Sequence, residues 1–121
     1  MQVDGLLQDI RDDMTGFECA AVVGTDGLVI SQNILSSEVD IFAMTVEFAS
    51  IYNQTRKAVA EIDCGDNLSA IFSLEKHSIV LSGIEGTNFF VLLCLDVSSG
   101  NIGKAKYLLS KMEDKFKDAL R

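Results

Sequence analysis

Residues 21–31 read AVVGTDGLVIS, two apolar runs separated by Gly24-Thr25-Asp26-Gly27. An Asp-Gly pair between apolar runs predicts the turn of a β-hairpin, because glycine tolerates the positive φ that such turns need. A glycine-rich loop also occurs in phosphate-binding sites, but here no Gly-Lys-Ser/Thr follows and the loop leads into a strand rather than a helix. Asp26 would moreover repel a phosphate. The stretch therefore predicts a hairpin and no nucleotide site in this chain.

The hydrophobic pattern on both sides of this hairpin predicts an ordered series of helices and strands. The helices are expected over 3–14, 39–62 and 101–120, and the strands over 17–23, 28–33, 68–74, 78–84 and 88–95. Ser36 or Ser37 is expected to cap the long middle helix. Short polar links make consecutive strands antiparallel neighbours. We therefore predict one α+β domain over 1–121, a five-stranded antiparallel sheet with the long helix on one face and the terminal helices on the other.

The charge balance argues against several classes of partner. The net charge is −8, and residues 1–66 carry twelve acidic but only three basic side chains. Such a chain repels nucleic acid and anionic lipid. No apolar run approaches the roughly 20 residues needed to cross a bilayer, and the first residues lack the basic start and apolar block of a signal peptide. We expect a soluble, cytoplasmic protein without membrane insertion.

The residues that usually carry chemistry are few. Cys19, Cys64 and Cys94 are an odd number without close pairing, so we expect small buried thiols in a reducing compartment. His77 is the only histidine, has no cysteine near it in sequence, and is expected to be a solvent-exposed residue at a strand end. A metal site needs clustered ligands, and nucleophilic catalysis needs a base beside the nucleophile. The sequence therefore predicts no catalytic set, no metal and no cofactor.

The long middle helix has more apolar surface than an ordinary surface helix, which hides a single stripe. One apolar face runs along Ile41, Met44, Phe48, Ile51, Tyr52, Thr55 and Val59, and an adjacent one along Phe42, Val46, Ala49 and Asn53. Either both faces are buried within the monomer, or the second one packs on a partner, most simply a second copy. The strand over 68–74 would also need a partner if it lies at a sheet edge.

The order of these segments resembles the roadblock family, also called the dynein light chain roadblock family. The segment GTDGLVIS at 24–31 matches the family's Asp-Gly hairpin, and NIGKAKYLL at 101–109 matches the Asn-Leu/Ile-Gly start of its last helix. The resemblance covers about residues 6–120. It implies a roadblock/profilin-like sandwich that forms homodimers or heterodimers through the long helices and the third strands.

The resemblance also implies a function. Single-domain bacterial and archaeal members often accompany Ras-like small GTPases, and the MglB-type member is a GTPase-activating partner. This chain is accordingly expected to be a non-enzymatic dimeric regulator of such a GTPase. If the face along 41–59 packs on its own sheet, the dimer interface is expected to comprise Phe42, Val46, Ala49, Asn53, Leu68, Ala70 and Phe72. The polar stripe would then face outward, and we expect it to dock the GTPase through Ala43, Glu47, Ser50, Gln54 and Lys57; which face of the helix is the dimer face stays open.

Three questions remain open at this level. The chain is alternatively a structural adaptor of the dynein-light-chain kind, or a ligand-sensing domain of the profilin or PAS type. The sequence does not distinguish a protein that activates GTP hydrolysis from one that only scaffolds the GTPase. Arg56 is the only arginine of the long helix, and we favour packing or a rim salt bridge for it over insertion into a GTPase site as an arginine finger.

Overall fold

A computed structural model describes residues 2–36, 38–65 and 68–120. It contains the predicted series of elements, each beginning and ending within two residues of the expected position. They are α1 (Gln2–Asp13), β1 (Phe17–Gly24), β2 (Val29–Ile34), α2 (Ile41–Glu61), β3 (Ser69–Ser73), β4 (His77–Gly83), β5 (Phe89–Asp96) and α3 (Ile102–Ala119). The predicted α+β class is confirmed.

The five strands form one antiparallel sheet in the order β2-β1-β5-β4-β3. The strands β1 and β5 lie next to each other at the centre, and every residue of β1 is buried. Burial on both faces explains why these two strands are almost continuously apolar instead of alternating. The strands β2 and β3 form the two edges.

The quoted stretch forms the hairpin between β1 and β2. The Gly24 amide donates to the Leu28 carbonyl at 2.8 Å, and the Asp26 carboxylate accepts from the Leu28 amide at 3.0 Å. Gly27 has a φ of 88°, which a residue with a side chain rarely adopts. The Asp26 carboxylate thus accepts a hydrogen bond from the turn's own backbone, and the predicted hairpin is confirmed.

The helices lie on the two faces of the sheet as predicted. The helices α1 and α3 bury one face, and Phe116 and Leu7 are among the largest side chains there. The helix α2 buries the other face, where Phe90 and Leu92 of β5 lie beneath it. We call the layer beneath α2 the second core. None of the described helices is both long and apolar enough to cross a membrane.

The prediction of a serine cap for α2 is wrong with respect to Ser36, whereas Ser37 lies outside the described residues. The helix begins at Ile41, and its N-cap is Asp40, whose carboxylate accepts from the Ala43 amide at 3.1 Å. A capping oxygen must reach an amide in the first turn, and only the residue directly before the helix does so. Ser36 instead accepts from the Glu38 amide at 3.3 Å, within the preceding connection.

Phe116 tests how far α3 depends on the sheet. It is 1% exposed, so the change Phe116→Ala should lower the free energy of unfolding by about 3–5 kcal/mol through lost burial and a cavity. The matched change Tyr107→Ala removes an aromatic ring on the same helix that is 66% exposed, and should cost no more than about 0.5 kcal/mol. Urea denaturation measures both; equal losses would contradict the assigned orientation of α3.

Candidate functional site

The helix α2 contacts its own sheet through a narrow set of side chains. Ile41, Thr45, Ala49 and Tyr52 are buried, at the spacing of one helix face. Met44 and Phe48 are half-buried beside them and also pack on the second core. Only part of the second apolar face predicted from the sequence is therefore used inside the chain.

One side of α2 faces the β1–β2 hairpin, and we call Phe42, Val46 and Asn53 the hairpin flank. Phe42 is 78% exposed and Val46 is 46% exposed. Asn53 is half-buried because its side-chain amide donates to the carbonyl of Thr25 in the hairpin turn. This flank thus presents an exposed valine beside the turn to which the helix is hydrogen-bonded, and an exposed aromatic ring near the start of the helix.

The other side of α2 faces β3. The ring of Phe48 meets that of Phe72 edge-on, with centroids 5.1 Å apart. Leu68, Ala70 and Phe72 are half-buried and pack on the second core. Among the described residues β3 pairs only with β4, so its outer edge carries free backbone groups. Its sequence SAIFS contains neither the charge nor the proline that usually protects such an edge.

The residues of the predicted dimer interface are therefore not brought together. Phe42, Val46 and Asn53 lie on the hairpin flank, whereas Leu68, Ala70 and Phe72 lie beyond the opposite side of the helix. Ala49 is 4% exposed and packs in the second core of its own chain. The structure thus contains two separate candidate surfaces where the sequence predicted one.

The predicted docking stripe is exposed and adjoins the hairpin flank. Ala43, Glu47, Ser50, Gln54 and Lys57 are all exposed. Three of them, Ser50, Gln54 and Lys57, line a shallow groove of about 500 Å³ together with the hairpin turn and Val46. Val46 and Asn53 of the hairpin flank thus adjoin the second half of the stripe in this groove.

Arg56 lies in the last two turns of α2, where its side chain contacts the ring of Tyr52. Its guanidinium carbon is 5.8 Å from the ring centroid of Tyr52, within cation–π range. The Tyr52 ring in turn stacks on Phe90 at 4.4 Å, and burial raises the pKa of Tyr52. These contacts correspond to the packing role that the sequence favoured for Arg56.

His77 is at a strand end, as predicted, since β4 begins with it, but the expectation that it is solvent-exposed is wrong. The imidazole is half-buried, and its Nδ1 atom is 2.8 Å from Oε2 of Glu18. The Cys94 thiol donates to the same Oε2 atom at 3.8 Å. These three residues come from β4, β1 and β5, so spacing along the chain does not reveal them. A glutamate within the apolar strand FECAAVVG was the available signal, because a buried charge needs a partner.

Two of the three thiols are buried, as predicted. Cys19 lies directly opposite Cys94 across the β1–β5 ladder, and both are fully buried. The hydrogen bond with Cys19, together with burial, raises the pKa of Cys94, and the same hydrogen bond lowers the pKa of Cys19. Cys64 is exposed instead, because it follows the end of α2 and lies outside both cores.

Comparison with known proteins rests on structure. No protein-family model matches the sequence, and no curated protein matches it either. A Roadblock/LC7 domain from Streptomyces avermitilis superimposes with a TM-score of 0.83 at 18% identity, over 97% of this chain and 96% of that one. Myxococcus xanthus MglB gives 0.85 at 12% identity, over 98% and 87%. An MglB structure with a tetrameric arrangement gives 0.79 at 16% identity, over 94% and 83%.

The chain has the roadblock fold. Both sequence segments that resemble the family now have a physical role in it. The Asp-Gly segment forms the hairpin turn that α2 contacts through Asn53. In the segment NIGKAKYLL, Asn101 is the N-cap of α3, and its side chain accepts from the Lys104 amide at 3.0 Å. The two segments thus position the helices on opposite faces of the roadblock sheet.

The link between α2 and the hairpin turn is open to direct measurement. The change Asn53→Ala removes the only side-chain hydrogen bond described between them, and should lower the free energy of unfolding by about 1 kcal/mol. The adjacent change Gln54→Ala affects an exposed side chain and should stay within about 0.5 kcal/mol of the unchanged protein. Urea denaturation compares the two variants, and equal stabilities would argue against this link.

Proposed function

We propose that this roadblock protein is a non-enzymatic, dimeric regulator of a Ras-like small GTPase. The main observation behind the proposal is that each side of α2 adjoins a surface that the chain itself leaves uncovered. Phe42 and Val46 are exposed on the hairpin flank, while the β3 edge remains unpaired among the described residues on the other side. Two surfaces allow one chain to bind a second copy and a different partner at the same time. The structural likeness to MglB and the family resemblance of the sequence support this proposal.

We assign the dimer interface to the β3 edge and the side of α2 beside it. Two β3 strands pairing antiparallel across a two-fold axis would satisfy the free backbone groups and extend the sheet. The half-buried Met44, Phe48 and Ile51 would then meet the same residues of the other α2. The partner is a second copy or another roadblock protein. The tetrameric arrangement of the related MglB structure supports self-assembly of this fold.

A charge on β3 should separate the dimer. Ile71 is the central residue of β3, is 38% exposed, and lies close to its own copy when the two strands pair. The change Ile71→Asp would therefore place two like charges face to face, which is destabilising in paired strands. The molar mass from light scattering at about 50 µM should be that of a dimer for the unchanged protein and that of a monomer for this variant.

The control for this experiment is Leu28→Asp. Leu28 is 64% exposed next to the hairpin turn, far from β3 in the sheet order, so this variant should remain dimeric. An unchanged protein that is monomeric at the same concentration would contradict the dimer. A dimeric Ile71→Asp variant would contradict its assignment to β3.

We assign GTPase docking to the hairpin flank together with the stripe Ala43, Glu47, Ser50, Gln54 and Lys57. An apolar centre with a polar rim is the usual composition of an interface between separately folded partners. Phe42 is the most exposed large side chain on this surface, and aromatic anchors commonly dominate binding energy. In this arrangement the protein stimulates hydrolysis by positioning the GTPase's own switch residues.

The change Phe42→Ser should weaken this docking. We expect at least a tenfold loss of affinity for a Ras-like small GTPase that binds the unchanged protein, corresponding to about 1.4 kcal/mol, with the dimer retained. Tyr107→Ser is the matched control, because Tyr107 is 66% exposed on α3, on the other face of the sheet. Titration calorimetry and GTP turnover measure the two variants. A dimer that neither binds the GTPase nor alters its rate would favour the structural adaptor.

Arg56 separates the two ways of stimulating hydrolysis. An inserted arginine finger is worth about 10³–10⁵ in rate, whereas an arginine that packs on Tyr52 contributes little to the transition state. We expect Arg56→Ala to change the stimulated rate of GTP hydrolysis by less than about tenfold, or ~1.4 kcal/mol. A loss of a thousandfold with unchanged GTPase affinity would instead identify Arg56 as a finger.

A further inference from the structure

We propose that Glu18, His77 and Cys94 form a binding site for Zn²⁺ on the face of the sheet that α2 covers. The three side chains offer a carboxylate oxygen, an imidazole Nδ1 and a thiol sulfur, and these ligand atoms all lie within 4.8 Å of one another. The site is independent of the proposed GTPase docking and of the dimer interface. It uses the three groups that the rest of the structure leaves without another function.

The distances suit a tetrahedral ion. Ligand lengths of about 2.0 Å for nitrogen and oxygen and about 2.3 Å for sulfur place neighbouring ligand atoms about 3.3–3.6 Å apart. Here Nδ1 of His77 and Oε2 of Glu18 are 2.8 Å apart, and Sγ of Cys94 and the same oxygen are 3.8 Å apart. Nδ1 of His77 and Sγ of Cys94 lie within 4.8 Å of each other, so shifts of up to about 1 Å, within the reach of side-chain rotation, would accommodate the ion.

The sheet holds these residues rigidly. A register shift between Phe17 and Cys19 allows both Glu18 and Cys19 to reach the α2 side of β1. On β4, His77 is two residues before Ile79, so the two side chains lie on the same face of the sheet. Ile79 pairs with Cys94 on β5. The ligands thus come from three adjacent antiparallel strands, so folding of the sheet already brings them together before a metal ion binds.

His77 supplies a second, independent observation. Its Nδ1 atom is buried and lies 2.8 Å from Oε2 of Glu18, but it takes part in no hydrogen bond among the described residues. Buried polar atoms without a partner are rare and call for an explanation such as a bound ion. A cation between the three ligand atoms would coordinate this nitrogen together with the Glu18 carboxylate. The partly exposed side chain of His77 marks the route by which an ion enters.

The donor set favours zinc over the common alternatives. Magnesium and calcium prefer oxygen ligands alone, whereas nitrogen and sulfur ligands favour zinc and its neighbours in the transition series. Binding forms a bond between zinc and Sγ of Cys94 while its S–H bond breaks, and the proton leaves to solvent. Water takes the fourth position, which is open in a site with three protein ligands.

The test uses tag-free protein carrying Cys64→Ser, because Cys64 is an exposed thiol outside the site. After chelator treatment, Zn²⁺ is titrated in competition with a chromophoric chelator. We expect one zinc per chain and a thermal midpoint that rises with zinc concentration, as binding to the folded state requires. Co²⁺ in place of zinc should give a sulfur-to-cobalt charge-transfer band and the visible absorption of tetrahedral coordination.

Two ligand variants and one control decide the result. In the same background, His77→Gln and Cys94→Ser should each lower zinc affinity about 100-fold or more, since even outer-shell partners of a metal are worth about 10- to 100-fold. Glu38→Gln removes an exposed carboxylate outside the site and should leave affinity unchanged. Circular dichroism without metal verifies that each variant folds.

Three outcomes would overturn the proposal. The first is substoichiometric zinc in the parent protein. The second is equal affinity in the parent, His77→Gln and Cys94→Ser proteins, which would show that zinc binds elsewhere. The third is a cobalt spectrum without a thiolate band.

Discussion

The pairing of β1 with β5 is the interaction on which the rest of this structure depends. Seven register pairs from Phe17↔Leu95 to Gly24↔Phe89 join the two strands, and both are covered by helices on the two faces of the sheet. Because these strands are buried on both sides, a shift of one residue would exchange the side chains of the two cores. The register thus determines at once what α2 and the α1–α3 pair can contact.

The same pairing explains why α2 has two different sides. The helix rests over the centre of the sheet through Ile41, Thr45, Ala49 and Tyr52, so neither its hairpin flank nor its β3 side is fully covered. A helix buried only along its middle leaves apolar surface on both margins. Our proposals for a partner and for a second copy both depend on this placement, and the two surfaces can be altered separately.

Much of this architecture was predictable from local patterns, while the errors share a cause. The Asp-Gly turn and the helical and strand periodicities depend on neighbouring residues, and all of them were confirmed. The predicted N-cap of α2 was wrong because its identity depends on the residue at which the helix begins, and periodicity locates that residue only approximately. The exposure predicted for His77 was wrong because its surroundings come from β1 and β5, far along the chain.

The sequence by itself determined the order of the elements, the α+β class and the side of the sheet on which each helix lies. These properties follow from hydrophobic period and turn chemistry, which act over a few residues. Only the tertiary structure decided that Phe42 and β3 lie on opposite sides of α2, and that Glu18, His77 and Cys94 meet on three adjacent strands. Such neighbourhoods depend on strand order and register, because side chains far apart in the chain become adjacent only when the sheet has formed.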